Sequence, residues 1–284
     1  MRTFEELKQL LIQVKESDYR IPDGVDVDDL IDDMLKFIGH TDHELRDVLI
    51  YPTFDKWGCD VMISTTQMKY ILDTCLDEQH LFYRIGEKDT DSVFTRSFSM
   101  LIIPVAFCMH EETSFLADDD VLNIKETVLR YIKQEKDFRG YVDGKGWAHS
   151  IAHVADALQN IVFCFKRSED WLEILDAIKT IVFNGDIAYA YGEDERIADA
   201  FVSAFYTAVC DHKVLTTKDF SDWIENFSIL ESETKMPARW HQRINRKNFL
   251  KSVYVMFLLD RDFDPYKDDC DKICKCLFDV LEKL

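Results

Sequence analysis

Apolar residues along this chain recur at three- and four-residue spacings almost everywhere, and strict apolar–polar alternation is almost nowhere found. The pattern predicts helices near 3–16, 25–39, 43–58, 65–77, 91–110, 119–135, 146–166, 169–183, 194–211, 217–229, 240–259 and 268–284. Three of them open on a capping box, at Thr3-x-x-Glu6, Thr41-x-x-Glu44 and Ser64-x-x-Gln67, where the two side chains satisfy each other's backbone N–H. Pro52 and Pro104 fall inside predicted helices and are expected to kink or split them, because proline removes a donor and crowds the preceding turn. About twelve helices joined by short polar turns pack as successive antiparallel pairs. The expected fold is therefore an all-α superhelix, either a HEAT- or armadillo-like solenoid or an α/α toroid. Helix number and loop length carry this expectation, since no strict repeat is visible. No linker rich in Gly, Ser or Pro divides residues 1–284, which read as a single all-helical domain.

Composition narrows the function classes. With 9 Gly and 5 Pro in 284 residues, a sandwich or barrel with many tight turns is excluded. The balance of 54 Asp and Glu against 34 Lys and Arg leaves a net charge of −20, so nucleic acid and anionic membranes are not expected partners. Part of the acid is clustered at helix starts, at Asp23, Asp26, Asp28, Asp29, Asp32 and Asp33 and again at Asp118 to Asp120, where carboxylates favour the helix dipole. The eight cysteines form no Cys-x-x-Cys pair and mostly lie in apolar surroundings, which reads as reduced, buried thiols in a cytoplasmic protein. Cys270 and Cys274, one turn apart, read as a core stripe rather than a soft-metal site. The N-terminus lacks the apolar core of a signal peptide. Met100 to Met109 is about half a membrane span and contains Pro104, so no membrane segment is expected.

Candidate chemistry concentrates in residues 137–160. Gly140, Gly144 and Gly146 place three of the nine glycines within seven residues, which marks a loop needing positive φ or close backbone approach. Arg139, Tyr141, Asp143, Lys145 and Trp147 alternate with them. In the helix expected to follow, Ile151, Val154, Ala155, Leu158, Val162 and Phe165 form the apolar stripe, while His149, His153, Asp156 and Asn160 share another face. That polar face has three readings. It is solvated, it is a buried hydrogen-bond network between helices, or it is a functional pocket. As a pocket, His149 and His153 would ligate a divalent metal such as Zn, Mn or Fe, with Asp156 as third ligand or orienting partner. Ser150 stands where a metalloprotease helix would carry its general base.

The run from Arg139 to Leu158, Arg-Gly-Tyr-Val-Asp-Gly-Lys-Gly-Trp-Ala-His-Ser-Ile-Ala-His-Val-Ala-Asp-Ala-Leu, resembles the signature of a bacterial family, domain-of-unknown-function family 2785. Leu45-Arg46-Asp47, the stretch from Asp91 to Ser99, and Gly192 to Arg196 are similar to further blocks of it. The resemblance spans roughly residues 40 to 260. It implies a bacterial, intracellular, all-helical protein and assigns no activity and no catalytic residue.

Read chemically, the blocks supply Asp91, Arg96, Arg139, Asp143, Lys145, His149, His153, Asp156, Glu193, Asp194 and Arg196. In a solenoid or toroid such residues could converge on one concave surface. The leading expectation is a helical-repeat protein that binds a small or peptidic ligand in a polar pocket built on residues 139–156. Arg96, Arg139, Tyr141, Lys145, Trp147 and Arg196 would be its ligand-binding residues. The opposing reading has Arg96 and Arg196 tying helices together through Asp91 and Glu193. The runner-up function is a metal-dependent hydrolase or related enzyme, with Asp143 or Glu193 as general base. A third is a protein-interaction scaffold without a small-molecule site. Two weaker patterns are set aside. His110-Glu111-Glu112 is a lone pair of the type found in iron-binding helical repeats, and Asp260-x-Asp262-x-Asp264 imitates a calcium loop with Pro265 where glycine is needed.

Overall fold

A computed structural model describes residues 1–165, 167–228, 235–260 and 266–284. The chain is all-α, with 69% of it helical. Backbone contacts group it into two compact units, Met1–Ala157 and Leu158–Leu284, which are described separately.

The first unit contains α1 (Phe4–Glu16), α2 (Val27–Lys36), a π-helical turn (Glu44–Ile50) running into α3 (Tyr51–Cys59), α4 (Thr65–Cys75), α5 (Ser92–Met100), α6 (Ile102–Thr113) and α7 (Asp118–Gln134). A two-stranded hairpin follows, β1 (Tyr141–Val142) and β2 (Gly146–Trp147), and then α8 (Ser150–Ile161), within which the unit boundary falls. The capping boxes at Thr3 and Ser64 form as expected. The third does not: the Asp42 carboxylate, rather than Thr41, accepts the Leu45 N–H at 2.8 Å. Pro104 has the expected effect. It cannot donate to the Met100 carbonyl, and the helix breaks at Leu101 into α5 and α6.

Together Ser92–Thr113 is long and apolar enough to cross a membrane by length and composition, yet 83% of that window is buried inside the fold. It is a core element. α6 packs against α3 and α4, and α2 against α4, enclosing Leu7, Leu11, Phe54, Trp57, Ile71, Ile102 and Met109. One residue of the acidic cluster at 23–33 is interior. Asp33 is buried and accepts from the Arg2 backbone N–H at 3.0 Å and its guanidinium at 2.7 Å. Cys59 of α3 and Cys108 of α6 are joined as a disulfide, which corrects the expectation of eight reduced thiols. Cys75 is free and buried, and burial pushes its thiol pKa up.

The second unit contains α9 (Ser168–Val182), α10 (Glu193–Phe205), a π-helical turn (Tyr206–Asp211), α11 (Thr217–Glu225), α12 (Ala238–Asp260) and α13 (Lys267–Leu281). Here α10 packs on α12 and α11 on α13. The core is aromatic: Phe201 meets Phe220 and Phe249 edge to face at 5.3 and 5.7 Å, and Phe205 meets Phe257 at 4.9 Å. Cys270 is buried beside the Tyr206 hydroxyl at 3.4 Å. Asp262 and Asp264 of the calcium-loop pattern lie outside the described residues.

Candidate functional site

The glycine-rich segment is not the start of a helix. Helix was expected from residue 146, but Gly146 and Trp147 form β2 and pair antiparallel with Val142 and Tyr141, so α8 begins only at Ser150. Gly144 (φ +72°) turns the hairpin in open space. Gly146 has a different reason to be glycine. Its φ is +84°, and a Cβ there would lie 2.7 Å from His43 Cβ and 2.8 Å from Asp47 Oδ2. The backbone of β2 is pressed against the π-helical turn.

Arg46 makes that approach possible. It is fully buried, donates to the carbonyls of His40 and Lys145 at 2.7 Å each, and reaches the Trp147 carbonyl at 3.4 Å. Its guanidinium lies against Phe94 at 4.2 Å and Phe98 at 4.7 Å, and its Nε is 2.7 Å from Asp47. Burial is the main influence on both partners, lowering the Arg46 pKa and raising that of Asp47, which also accepts the Trp147 backbone N–H. The Leu45-Arg46-Asp47 block thus grips the hairpin from one side.

A second set of buried charges grips its base. Arg96 is fully buried and bidentate to Glu135, at 2.6 and 2.9 Å. It also donates to the Tyr83 carbonyl at 3.0 Å and Ser92 Oγ at 2.7 Å. Burial opposes its charge, but the Glu135 carboxylate more than offsets this and raises its pKa. Glu135 accepts the Asp137 N–H at 2.8 Å. Asp137 in turn accepts Arg139 Nε at 2.8 Å and Nη2 at 2.6 Å, and this hydrogen-bonded carboxylate raises the Arg139 pKa. Arg139 Nη2 also donates to the Thr90 carbonyl at 2.6 Å. The Asp137 carbonyl takes the Ser150 hydroxyl at 2.6 Å, fixing the start of α8. Lys145 pairs with Asp91 at 2.6 Å nearer the surface.

Arg96, Arg139 and Lys145 are three of the residues expected to bind a ligand. All three are engaged by carboxylates of the chain itself, and the guanidinium of Arg96 is sealed in the interior. The residues that sequence reasoning passed over are Asp47, Glu135 and Asp137. The last two lie in a Lys-Gln-Glu-Lys-Asp run whose charges look solvated. His149 and His153 are buried and meet edge to face with ring centroids 5.9 Å apart. His153 places Nδ1 3.0 Å from the Ser97 carbonyl and packs against Phe98. Asp156 is half-buried. Among the described residues no group of three His, Cys, Asp or Glu side chains is arranged to hold a metal ion, so His149, His153 and Asp156 are not gathered as a ligand set. Glu193 and Arg196 belong to the second unit, where buried Glu193 accepts the Tyr191 N–H at 2.8 Å.

What the hairpin leaves outside is aromatic. Tyr141 and Trp147 pair across it edge to face at 4.9 Å and remain 46% and 39% exposed. Trp147 continues onto the His149 ring at 4.3 Å. His149 itself has a left-handed backbone, φ +46°, stored strain of the kind found where a structure is over-determined. Asp143 in the hairpin is exposed, and Asp89 and Asp91, ion-paired with Arg139 and Lys145, keep side chains 84% and 48% exposed.

The first unit also has a cavity of about 280 Å³ lined by residues 35–40, Gln79, His80, Tyr83 and Thr95, which includes none of the expected ligand-binding residues. His40, on its wall, accepts the Asp42 N–H through Nδ1 at 3.1 Å and stacks on Phe4 at 4.6 Å. Burial lowers its pKa below that of an ordinary imidazole. The unfolded chain then takes up a proton at higher pH than the folded one, so His40 stabilises the fold above about pH 6.5 and that contribution is lost as pH falls through the folded value. Acid titration of unfolding free energy should show this loss setting in as pH falls below about 6.5, and His40→Gln should remove that component from the profile.

A family model described as a protein of unknown function (DUF2785) matches residues 81–255, and the chain belongs to that family. No curated protein and no solved structure matches the chain.

Proposed function

We propose that the protein is a recognition module whose rigid hairpin binds a cationic polypeptide segment through Tyr141 and Trp147. One observation carries this reading. Three signature blocks of the first unit place Arg46, Asp91, Arg96 and Arg139 where they immobilise a hairpin whose exposed faces are two aromatic rings. Rigid aromatic anchors bind at low entropic cost. Exposed Asp143, two positions along the hairpin from Tyr141, favours Lys or Arg, whose cations also favour aromatic faces. The peptidic ligand is thus held at a surface, and Arg139 and Lys145 act on it by positioning the hairpin. In the second unit, the pairing of α10 with α12 and of α11 with α13 supports a helical-repeat arrangement of that unit, since neighbouring repeats stack in this way.

The test is fluorescence anisotropy of a labelled Lys/Arg-rich peptide against the full chain. Trp147→Ala and Tyr141→Ala should each weaken binding about tenfold, the scale of an interface anchor, with the melting temperature unchanged. Affinity equal to that of the parent in both variants, or an acidic peptide whose binding Trp147→Ala weakens to the same extent, would sink the reading.

A further inference from the structure

The second unit carries a feature of opposite sign. In α12, Arg239, Arg243, Lys247 and Lys251 follow one another at four-residue intervals, so they form one ridge about 18 Å long at 1.5 Å per residue. The same ridge continues into Val255 and Leu259, which are 50% and 70% exposed, and Trp240 beside its start is 51% exposed. The helix packs alongside this row through Asn245, Arg246, Phe249, Leu250, Val253 and Phe257, and Arg243 and Lys247 are half-buried.

Several surface cations elsewhere on this chain stand beside carboxylates: Lys56 with Asp60, Arg130 with Glu78, Lys218 with Asp222 and Lys267 with Asp271. On this ridge none of the four has a carboxylate partner among the described residues, and Arg243 has only the Trp240 ring, at 5.4 Å. A protein of net charge −20 has abundant acid with which to neutralise them. Four unpaired cations one turn apart repel each other, and an opposite charge supplied from outside relieves that repulsion.

We propose that the α12 ridge is a docking surface for an acidic helical polypeptide segment, with its carboxylates on Arg239 to Lys251 and an apolar residue or two on Val255 and Leu259. Charge complementarity and length favour this occupant. A duplex or a membrane extends far beyond 18 Å and would meet the acid that dominates the rest of the chain, whereas a short acidic helix touches only the ridge. The exposed Val255 and Leu259 also offer apolar contact that a phosphate backbone cannot use. The mode is that of a helix laid along a complementary face, with anchors at helical spacing.

The probe is a fluorescein-labelled 18-residue helical peptide with Glu at every fourth position and two Leu in its last turn, titrated against the full chain by anisotropy. Binding that weakens at least tenfold in Arg243→Glu/Lys247→Glu, weakens with added salt, and is retained in Lys247→Arg supports the proposal. Leu259→Ala should weaken it severalfold. The proposal is overturned if the peptide does not bind, if charge reversal leaves its affinity unchanged while the thermal melt matches the parent, or if duplex DNA or phosphatidylserine vesicles bind the ridge more tightly. Trp147→Ala, which tests the hairpin, should leave this binding intact, so the two readings fail separately.

Discussion

Arg96→Met is expected to lower the stability of the first unit by about 3–5 kcal/mol, the usual cost of leaving a buried charge without its partner. The substitution keeps volume but strands Glu135, whose carboxylate loses two charge-assisted bonds of 2.6 and 2.9 Å. It also strips a donor from the carbonyl of Tyr83 and from Ser92. A second change decides whether the charge or the packing is responsible. In Arg96→Met/Glu135→Leu no carboxylate is left stranded, and a buried pair replaced by apolar groups of similar volume is often neutral. The double variant should therefore recover most of the loss. Calorimetric melting of the three proteins measures this. A single variant as stable as the parent, or a double variant worse than the single, would show that the pair is not what holds the hairpin base. Glu135 also accepts the Asp137 N–H, so some of the cost should persist in the double variant.

Gly146→Ala is expected to destabilise by about 2–4 kcal/mol, combining the left-handed backbone penalty with overpacking. Gly144→Ala should cost only about 1 kcal/mol. Both glycines have positive φ, +72° and +84°, so the conformational penalty is shared and cancels in the comparison. The difference is space. Nothing lies within 4 Å of a Cβ on Gly144, whereas one on Gly146 would meet His43 Cβ, Asp47 Oδ2 and, at 3.1 Å, Arg46 Nη2. Those are the groups that anchor β2, so the strain falls on the Arg46 bonds to the Lys145 and Trp147 carbonyls. Chemical denaturation of the two variants reads the difference, and equal losses would mean that the hairpin shifts freely on the π-helical turn.

The helices were legible because their apolar spacing is what buries them: α1, α4, α7, α9 and α12 fall within a residue or two of the periodicity. The break at Leu101 was legible through Pro104, and the change from π- to α-helical winding at Tyr51 falls beside Pro52. The hairpin was not, because two-residue strands carry no measurable alternation, although the clustered glycines marked the place. The charged residues around the hairpin were visible in the sequence, but their pairing was not. Arg96, Arg139 and Lys145 were visible as cations in a rare motif, but their partners Glu135 and Asp137 lie 39 and 2 positions away and look like ordinary surface acid. Whether a cation is spent on its own chain or offered to a ligand is a fact of tertiary contact. The same limit hid the α12 ridge, because a row of four cations with no carboxylate partner among the described residues is visible only in the folded chain.

The anchor of the hairpin has a consequence for how the first unit assembles. Arg46 reaches the Lys145 carbonyl across 99 positions of chain, and closing so long a loop costs entropy that no local contact repays beforehand. Non-local contacts of this kind slow folding relative to helix formation. The hairpin is therefore expected to order late, after the π-helical turn and α5 have met around Phe94 and Phe98. The exposed rings reach their final positions only in chains whose interior is already complete, so recognition at Tyr141 and Trp147 would report on the folding of the unit beneath them.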